Sequence, residues 1–397
     1  MERMEKLSEV REDLDSKVRL TISLIGVGNA GNQVAVRAHK AGYRVFAINS
    51  SLRDLNDAVV DENIPSFIAG TEARGAGKNR ALAKKLFKSN GKTLFGTPQF
   101  SGMVESSDIV FVVGSTAGGT GSAICPELMN ILSQMYPQKI IIYYGILPKE
   151  SDSVQAQYNT LDCLTEISEA KHTYMLADLS YYEAESNDVA YEGIGNHIIE
   201  SINVIAGKYI NQSKSGIIDE NDMRAIISES GYMSAYILNK VTQKQVDQAS
   251  IQSYMIKQVR NSPAADINRD GIVKQMGVIV NCPEEMAEAT KTGDYKELQS
   301  YIGTPFSVFE NYSTNNSTMG QFIILLSGMS LPYSRLLKCK EVIKEAEEIL
   351  KRQKEIKLSD DLNEFDFLKR AGASSRLLSE TEETEETKAA VLNSFFD

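Results

Sequence analysis

Asp108-Ile-Val-Phe-Val-Val-Gly114-Ser-Thr-Ala-Gly118-Gly119-Thr120-Gly121-Ser122-Ala123 is the stretch around which the chain is read. An apolar run enters a glycine-rich turn, and a helical pattern leaves it, with Ile124, Leu128, Ile131 and Leu132 spaced for one face. Glycine suits a turn where backbone must come close to a ligand without a Cβ clash. The helix start that follows offers unpaired N–H groups and the positive end of a dipole, which favours an anion, most often phosphate. Thr120 and Ser122 add hydroxyl donors. The plainer alternative is a tight strand-to-helix turn that binds nothing.

Upstream, Arg19-Leu-Thr-Ile-Ser-Leu-Ile25 reads as a buried strand running into Gly26-Val-Gly28-Asn29-Ala30-Gly31-Asn32 and a helix through His39. The loop fits the GxGxxG dinucleotide pattern. A nicotinamide-binding fold should end its next strand in an acidic residue for the ribose. The strand Arg44–Asn49 ends in Asn49-Ser50-Ser51 instead, which counts against a dehydrogenase. Gly70–Arg80 is a further glycine-rich turn carrying Arg74, Lys78 and Arg80. Lys78 is followed by Asn79, so the Walker pattern fails. A second phosphate-facing loop and a flexible surface loop both remain open for it.

Downstream come a buried strand at Lys139–Leu147, the segment Pro148–Asp152, a helix from about Ser153 to Ala170 and a short strand at Thr173–Ala177. Strands alternating with helices predict a Rossmann-like parallel α/β sheet with its ligand at the C-terminal ends of the strands. The glycine loops after the first and fourth apolar strands fall at those ends, so they should converge on one site. A long helix is expected from about Ala190 to Asn211, apolar over a wide arc, joining a second and smaller α+β domain. There the pattern predicts a helix at 234–258, a strand at Gln275–Asn281, a helix at 284–302, and a hairpin-like pair at Pro305–Glu310 and Gly320–Ser327. A charged helix follows at about Ser334–Lys357. The expected division is an N-terminal helix at 1–18, a nucleotide domain at 19–189, a core helix at 190–212, a second domain at 213–333, C-terminal helices at 334–371 and an acidic, disordered tail at 372–397.

The net charge of −11 argues against direct contact with nucleic acid. The charged N-terminus has no apolar core of a secretory signal, and no run approaches the roughly 20 apolar residues of a membrane span. Four dispersed cysteines and three histidines argue against a zinc site and fit a reducing cytoplasm. The tail Leu378–Lys388 is acidic and cannot order itself by burial. Leu392, Phe395 and Phe396 after it read as a docking segment or as an unconstrained terminus.

Taken together, residues 19–330 resemble the tubulin/FtsZ superfamily of filament-forming GTPases. Gly118-Gly119-Thr120-Gly121-Ser122 is similar to the family's signature loop, Gly26–Asn32 to its first nucleotide loop, and Ala47–Ser50 to its second. Gly75-Ala-Gly77-Lys78-Asn79 resembles the third, and Leu147–Asp152 the sugar-contacting fifth. The resemblance implies a GTP or GDP site with Mg²⁺, built from Gly28, Asn29, Ala30, Asn32, Asn49, Gly75, Gly77, Lys78, Asn79, Gly118, Gly119, Thr120, Gly121, Ser122, Glu150 and Asp152. It places Asp178 and Asn196 at the base, Asn196 where the core helix carries a guanine-binding Asn. Departures are Ser115-Thr116-Ala117 in place of glycines, Asp178 in place of an Asn, and Glu192, beside Tyr191, in place of a base-stacking aromatic.

Asp219-x-x-Asp222-Met-Arg224 is similar to the synergy loop, residues 216–224. No general base is evident near the glycine loops. The resemblance implies that Asp219 and Asp222 serve the next copy in a head-to-tail filament, as catalytic acids on its GTP. Read without the family, they are a helix cap and a first-turn acid. The N-terminal helix, the charged helix and the acidic tail fit the plasmid- and phage-encoded TubZ branch, which implies DNA segregation through a basic adaptor docked on the tail. Cell division in the FtsZ manner is the alternative, and a Rossmann-type nucleotide enzyme the more remote one.

Overall fold

The structure, a computed structural model, describes residues 20–59, 63–211, 216–269, 271–290 and 295–355. The expected helix at 1–18 and the acidic tail lie outside these.

The N-terminal half is a parallel sheet of β1 (Ile22–Val27), β2 (Arg44–Asn49), β3 (Ser66–Ile68), β4 (Ile109–Ser115), β5 (Ile140–Leu147) and β6 (Thr173–Asp178). Its strands run in the order β3-β2-β1-β4-β5-β6. The order reverses between β1 and β4, which pair from Ile22–Ile109 to Val27–Gly114. Doubly wound sheets bind ligands outside the carboxyl ends of the strands at such a reversal. Both decisive glycine loops leave the sheet there. The near-continuous Val, Ile and Phe runs of these strands are those of a sheet covered on both faces. The covering helices are α1 (Gly28–Lys40), α2 (Leu52–Val59), α3 (Arg80–Phe95), α4 (Pro98–Glu105), α5 (Thr120–Met135), α6 (Val154–Glu169) and α7 (Asn187–Ile205). The core helix α7 is shorter than expected, closing at Ile205 with a turn over Ala206–Tyr209.

The second half continues the same sheet. After α8 (Glu220–Ile227), β7 (Gly231–Thr242) joins β6 through two rungs, Thr173–Gly231 and Tyr174–Tyr232. A helix was expected at 234–258. The structure has β7 there, then α9 (Gln243–Gln248) and α10 (Ile251–Arg260). The segment GYMSAYILNKVT is rich in aromatic and β-branched residues that favour a pleated surface, and Tyr232–Tyr236 are buried without a break. The expected helix at 284–302 is two shorter helices, α11 (Glu284–Thr290) and α12 (Lys296–Ile302). β8 (Gln275–Pro283), β9 (Ser307–Asn315) and β10 (Met319–Met329) complete the sheet in the order β7-β10-β8-β9. The expected hairpin is therefore replaced. β9 and β10 each pair with β8, which lies between them, because β8 offers both of its ladders along nine rungs to β9 and seven to β10. The chain's last described element is α13 (Tyr333–Glu355), which packs along α6.

Candidate functional site

A cleft of about 790 Å³ opens at the carboxyl ends of β1, β2 and β4, within the range of small-molecule sites. Gly28, Asn29, Ala30, Asn49, Gly75, Gly77, Lys78, Gly118, Gly119, Thr120, Gly121 and Asp152 all line it. Those expected residues come from five separate segments.

Two helix starts meet in the cleft. Neither α1 nor α5 has a side-chain cap, so their first-turn N–H groups are left for another acceptor. Gly28 has φ +72°, and a Cβ there would stand 3.1 Å from the Gly121 nitrogen. The two N-termini and their dipoles thus converge on one spot, an arrangement made for an anion. At Gly118 a Cβ would meet nothing within 4 Å, so the backbone there is bare toward the open cleft. Asn49 adds a donor. Its Oδ1 accepts from the Ser50 and Ser51 N–H groups, while its Nδ2 is buried with no partner among the described residues. A buried amide in that state is open to an acceptor from water or a ligand. Ser50 and Thr120 join hydroxyls at 2.6 Å, tying β2's end to the start of α5.

The departure at Ser115-Thr116-Ala117 has a structural reason. Thr116 is fully buried, its N–H and hydroxyl both donating to the Ile146 carbonyl. The threonine anchors the loop to β5, while Ser115 and Ala117 face the cleft. A staple missed from sequence holds the loop on its other side. Asn159, on α6 and 1% exposed, shares its amide N–H groups among the carbonyls of Lys78 (2.9 Å), Ala117 (3.0 Å) and Gly118 (3.2 Å). It joins the two glycine loops. Asn159→Ala leaves those carbonyls without that donor and is expected to cost about 1–3 kcal/mol, read as a lower denaturant midpoint with unchanged slope. An unchanged midpoint would show that the loops hold without it.

The remaining expected residues lie outside the lining. Asn32 is buried on α1 with neither amide atom partnered among the described residues. Asn79 caps α3 by accepting from the Leu82 N–H at 3.0 Å. The Ser122 hydroxyl turns back onto the Gly118 carbonyl. Glu150 pairs with Lys338 of α13. Both oxygens of Asp178 are engaged: Oδ1 accepts from the Ser180 N–H, and Oδ2 from Arg335 Nε at 2.6 Å. Asn196 is solvent-exposed on α7, and it is Tyr191, one turn earlier, that reaches the cleft wall. Of the three cations of the Gly70–Arg80 loop, Arg74 and Lys78 line the cleft, whereas Arg80 is held by Asp162 and Glu166 of α6.

The lining also holds groups that sequence reading did not assign: Gln33, Ser51, Arg53 and Asp54. Gln33 follows Asn29 by one helical turn, a spacing that could have flagged it. Asp54 joins the expected Asp152, so two carboxylates line a cleft whose glycine loops carry no evident general base.

Asp219 and Asp222 are at the other end of the molecule. They form a reciprocal capping box on α8: Asp219 Oδ1 accepts from the Asp222 N–H at 2.9 Å, and Asp222 Oδ2 from the Asp219 N–H at 3.1 Å. Arg224 of the same helix pairs with Asp108 at 2.7 Å. Asp108 immediately precedes β4, and its carboxyl also accepts from the backbone and hydroxyl of Thr21. Those bonds and Arg224 outweigh partial burial and hold Asp108 below the usual aspartate range. So α8 is fastened to the amino ends of β1 and β4, and the cleft is at their carboxyl ends.

Residues 21–180 match the model of the Tubulin/FtsZ family, GTPase domain. The tubulin-like protein TubZ of a Clostridium botulinum C phage is 25% identical over 347 residues, 86% of each chain. A tail-truncated TubZ of C. botulinum phage c-st superposes with a TM-score of 0.64 at 20% identity, over 84% of this chain and 99% of that one. TubZ of Bacillus thuringiensis serovar israelensis, in a GTPγS-form protofilament, gives 0.66 at 14% identity, over 84% and 94%. The sheet that reverses between β1 and β4, and the glycine cleft at that reversal, thus fall within the residues that match the Tubulin/FtsZ family GTPase domain, and the chain shares its fold with these TubZ structures.

Proposed function

We propose that the chain binds GTP in this cleft and hydrolyses it when a second copy docks head to tail, bringing Asp219 and Asp222 to the phosphate loops. One observation carries the reading. The phosphate cradle and the capping acids occupy opposite ends of the same strand, β4, with Asp108 at one end and Ser115 at the other. Seven residues of strand span roughly 23 Å, so no single copy can bring the two together, whereas stacked copies can.

The residues present fit the nucleotide. The uncapped starts of α1 and α5, the bare Gly118 and the Asn49 amide supply donors for phosphate oxygens, and Tyr191 offers a ring at the far wall. Bound Mg²⁺ would neutralise phosphate charge while keeping mostly phosphate and water ligands. Among the described residues no three acidic, histidine or cysteine side chains form a metal-ligand group. The roles left to the chain are to orient the phosphates at the loops and to orient and deprotonate the attacking water from the docked copy.

Asp54 and Asp152 in the cleft favour a second reading, hydrolysis within one copy. Phosphate release measured against protein concentration separates them. Release that nearly vanishes below a threshold concentration is the expected result. A rate strictly proportional to protein, with no threshold, would sink the two-copy site. Running GTP beside ATP and NAD in the same assay tests the nucleotide.

The cellular task we propose is segregation of plasmid or phage DNA. It rests on the resemblance to TubZ and on the acidic Leu378–Lys388 segment with Leu392, Phe395 and Phe396, which suit a basic, DNA-binding adaptor.

A further inference from the structure

α13 begins beside the cleft with a buried cation. Arg335 is the third residue of that helix, where the dipole disfavours positive charge, and its side chain is 5% exposed. Burial lowers a guanidinium's pKa, but the adjoining Asp178 outweighs it and holds Arg335 above its usual value. Its fork is filled: Nε donates to Asp178 Oδ2 at 2.6 Å, one Nη to the Pro148 carbonyl at 2.6 Å and to the Ser180 hydroxyl at 3.3 Å, and the other to Cys339 Sγ at 3.2 Å. The Ser180 hydroxyl in turn accepts from the Glu150 N–H at 3.1 Å. Lys338, one turn on, pairs with the Glu150 carboxylate. Three grips from one helix therefore close on the segment 148–152. That segment ends in Asp152, which lines the cleft, and leads into α6, whose Ala156 also lines it.

We propose that Arg335 is a positioning residue for nucleotide: by fixing Pro148, Ser180 and Asp178 it sets the 148–152 loop, and it couples the seating of α13 to occupancy of the cleft. The inference rests on the reading of the cleft as a GTP site. Arg335 is not among the residues that line the cleft, and Asp178 gives one acceptor position of each oxygen to Ser180 and Arg335. Lysine cannot replace the guanidinium, because one ammonium lacks the planar fork that reaches Asp178 and Pro148 together. Coupling of this kind is reciprocal: if α13 tightens nucleotide, nucleotide must tighten α13.

The test uses the full-length protein below its assembly threshold and a fluorescently labelled GDP. Arg335→Lys and Arg335→Gln are expected to release the label about five- to thirtyfold faster than the native chain, in the range of ordinary coupling. Glu347→Ala, which removes the contact of α13 with the Tyr158 hydroxyl, should release it at the native rate. GDP should slow amide exchange over residues 333–347 in the native chain and not in Arg335→Gln, a readout that loss of fold stability alone does not produce. If Arg335→Gln does not fold, Lys338→Ala loosens the same loop and is expected to speed release in the same direction. A native release rate in Arg335→Lys, with the native chain binding the label normally, overturns this inference alone. A native chain that binds no labelled GDP overturns the cleft reading and this inference together.

Discussion

Asp222→Ala is expected to bind GTP and assemble normally while releasing phosphate at least about a hundredfold more slowly, since a positioned acid or base contributes roughly 10²–10⁴. The expected product is long-lived filaments. The substitution also removes half of a capping box, because Asp222 Oδ2 accepts from the Asp219 N–H. A lost cap costs about 1 kcal/mol of helix stability, whereas a hundredfold in rate requires about 2.7 kcal/mol of transition-state stabilisation. Capping alone is therefore too small to account for the expected loss. Asp222→Asn separates the roles further. Its amide oxygen can still accept from the Asp219 N–H, but it cannot take a proton from water. If the aspartate acts on the neighbouring copy's nucleotide, Asn should restore stability and leave turnover as low as Ala does. Phosphate release above the threshold, alongside sedimentation of filaments, measures both. Native turnover in either variant would mean that these acids only cap α8.

The parts of the fold legible in the sequence are those written in local chemistry. β1 and β4 are short apolar runs closed by glycine, and the helices after them repeat at helical spacing, so strand, loop and helix could be read together. Their convergence followed from one rule about parallel sheets. β7 was not legible in that way. A short apolar run with no clean alternation fits helix or strand equally, and its identity is decided by the two neighbours it pairs with, β6 and β10. The site divides similarly. The glycines and Asn49 stand in motifs, but Arg53 and Asp54 belong to α2, whose sequence carries no sign of what it faces. Asp178 is the clearest case. In sequence it is a carboxylate where a base contact is expected; in the fold its partner, Arg335, comes from 157 residues downstream. Tyr191 and Asn196 show the limit of motif transfer. They lie on one helix, yet the tyrosine reaches the cleft and the asparagine meets solvent.

The same substitution at two glycines should affect stability very differently. A Cβ on Gly31 would lie 2.2 Å from the Val113 carbonyl oxygen and 3.1 Å from its carbon. Both sides of that contact are backbone, α1 against β4, so no rotamer change can relieve it. Gly26 leaves no slack, since its own Cβ would lie 2.4 Å from the Gly31 carbonyl oxygen. Gly31→Ala must push α1 away from the two strands at the sheet's reversal, and overpacking of this kind is expected to cost on the order of 2–4 kcal/mol. Because α1 carries Gly28 and Asn29 to the cleft, nucleotide binding should fall with stability. Gly118→Ala meets nothing within 4 Å and needs no left-handed backbone. Its stability should stay within about 0.5 kcal/mol of native, while the new methyl occupies space where phosphate would approach the backbone, lowering affinity for GTP by tenfold or more, about 1.4 kcal/mol. Denaturant midpoints and GTP titrations on the two variants check both halves. A stable Gly31→Ala chain would mean that α1 can shift without harm. A Gly118→Ala chain with native GTP affinity would mean that the phosphates do not pass over the Gly118 loop as proposed.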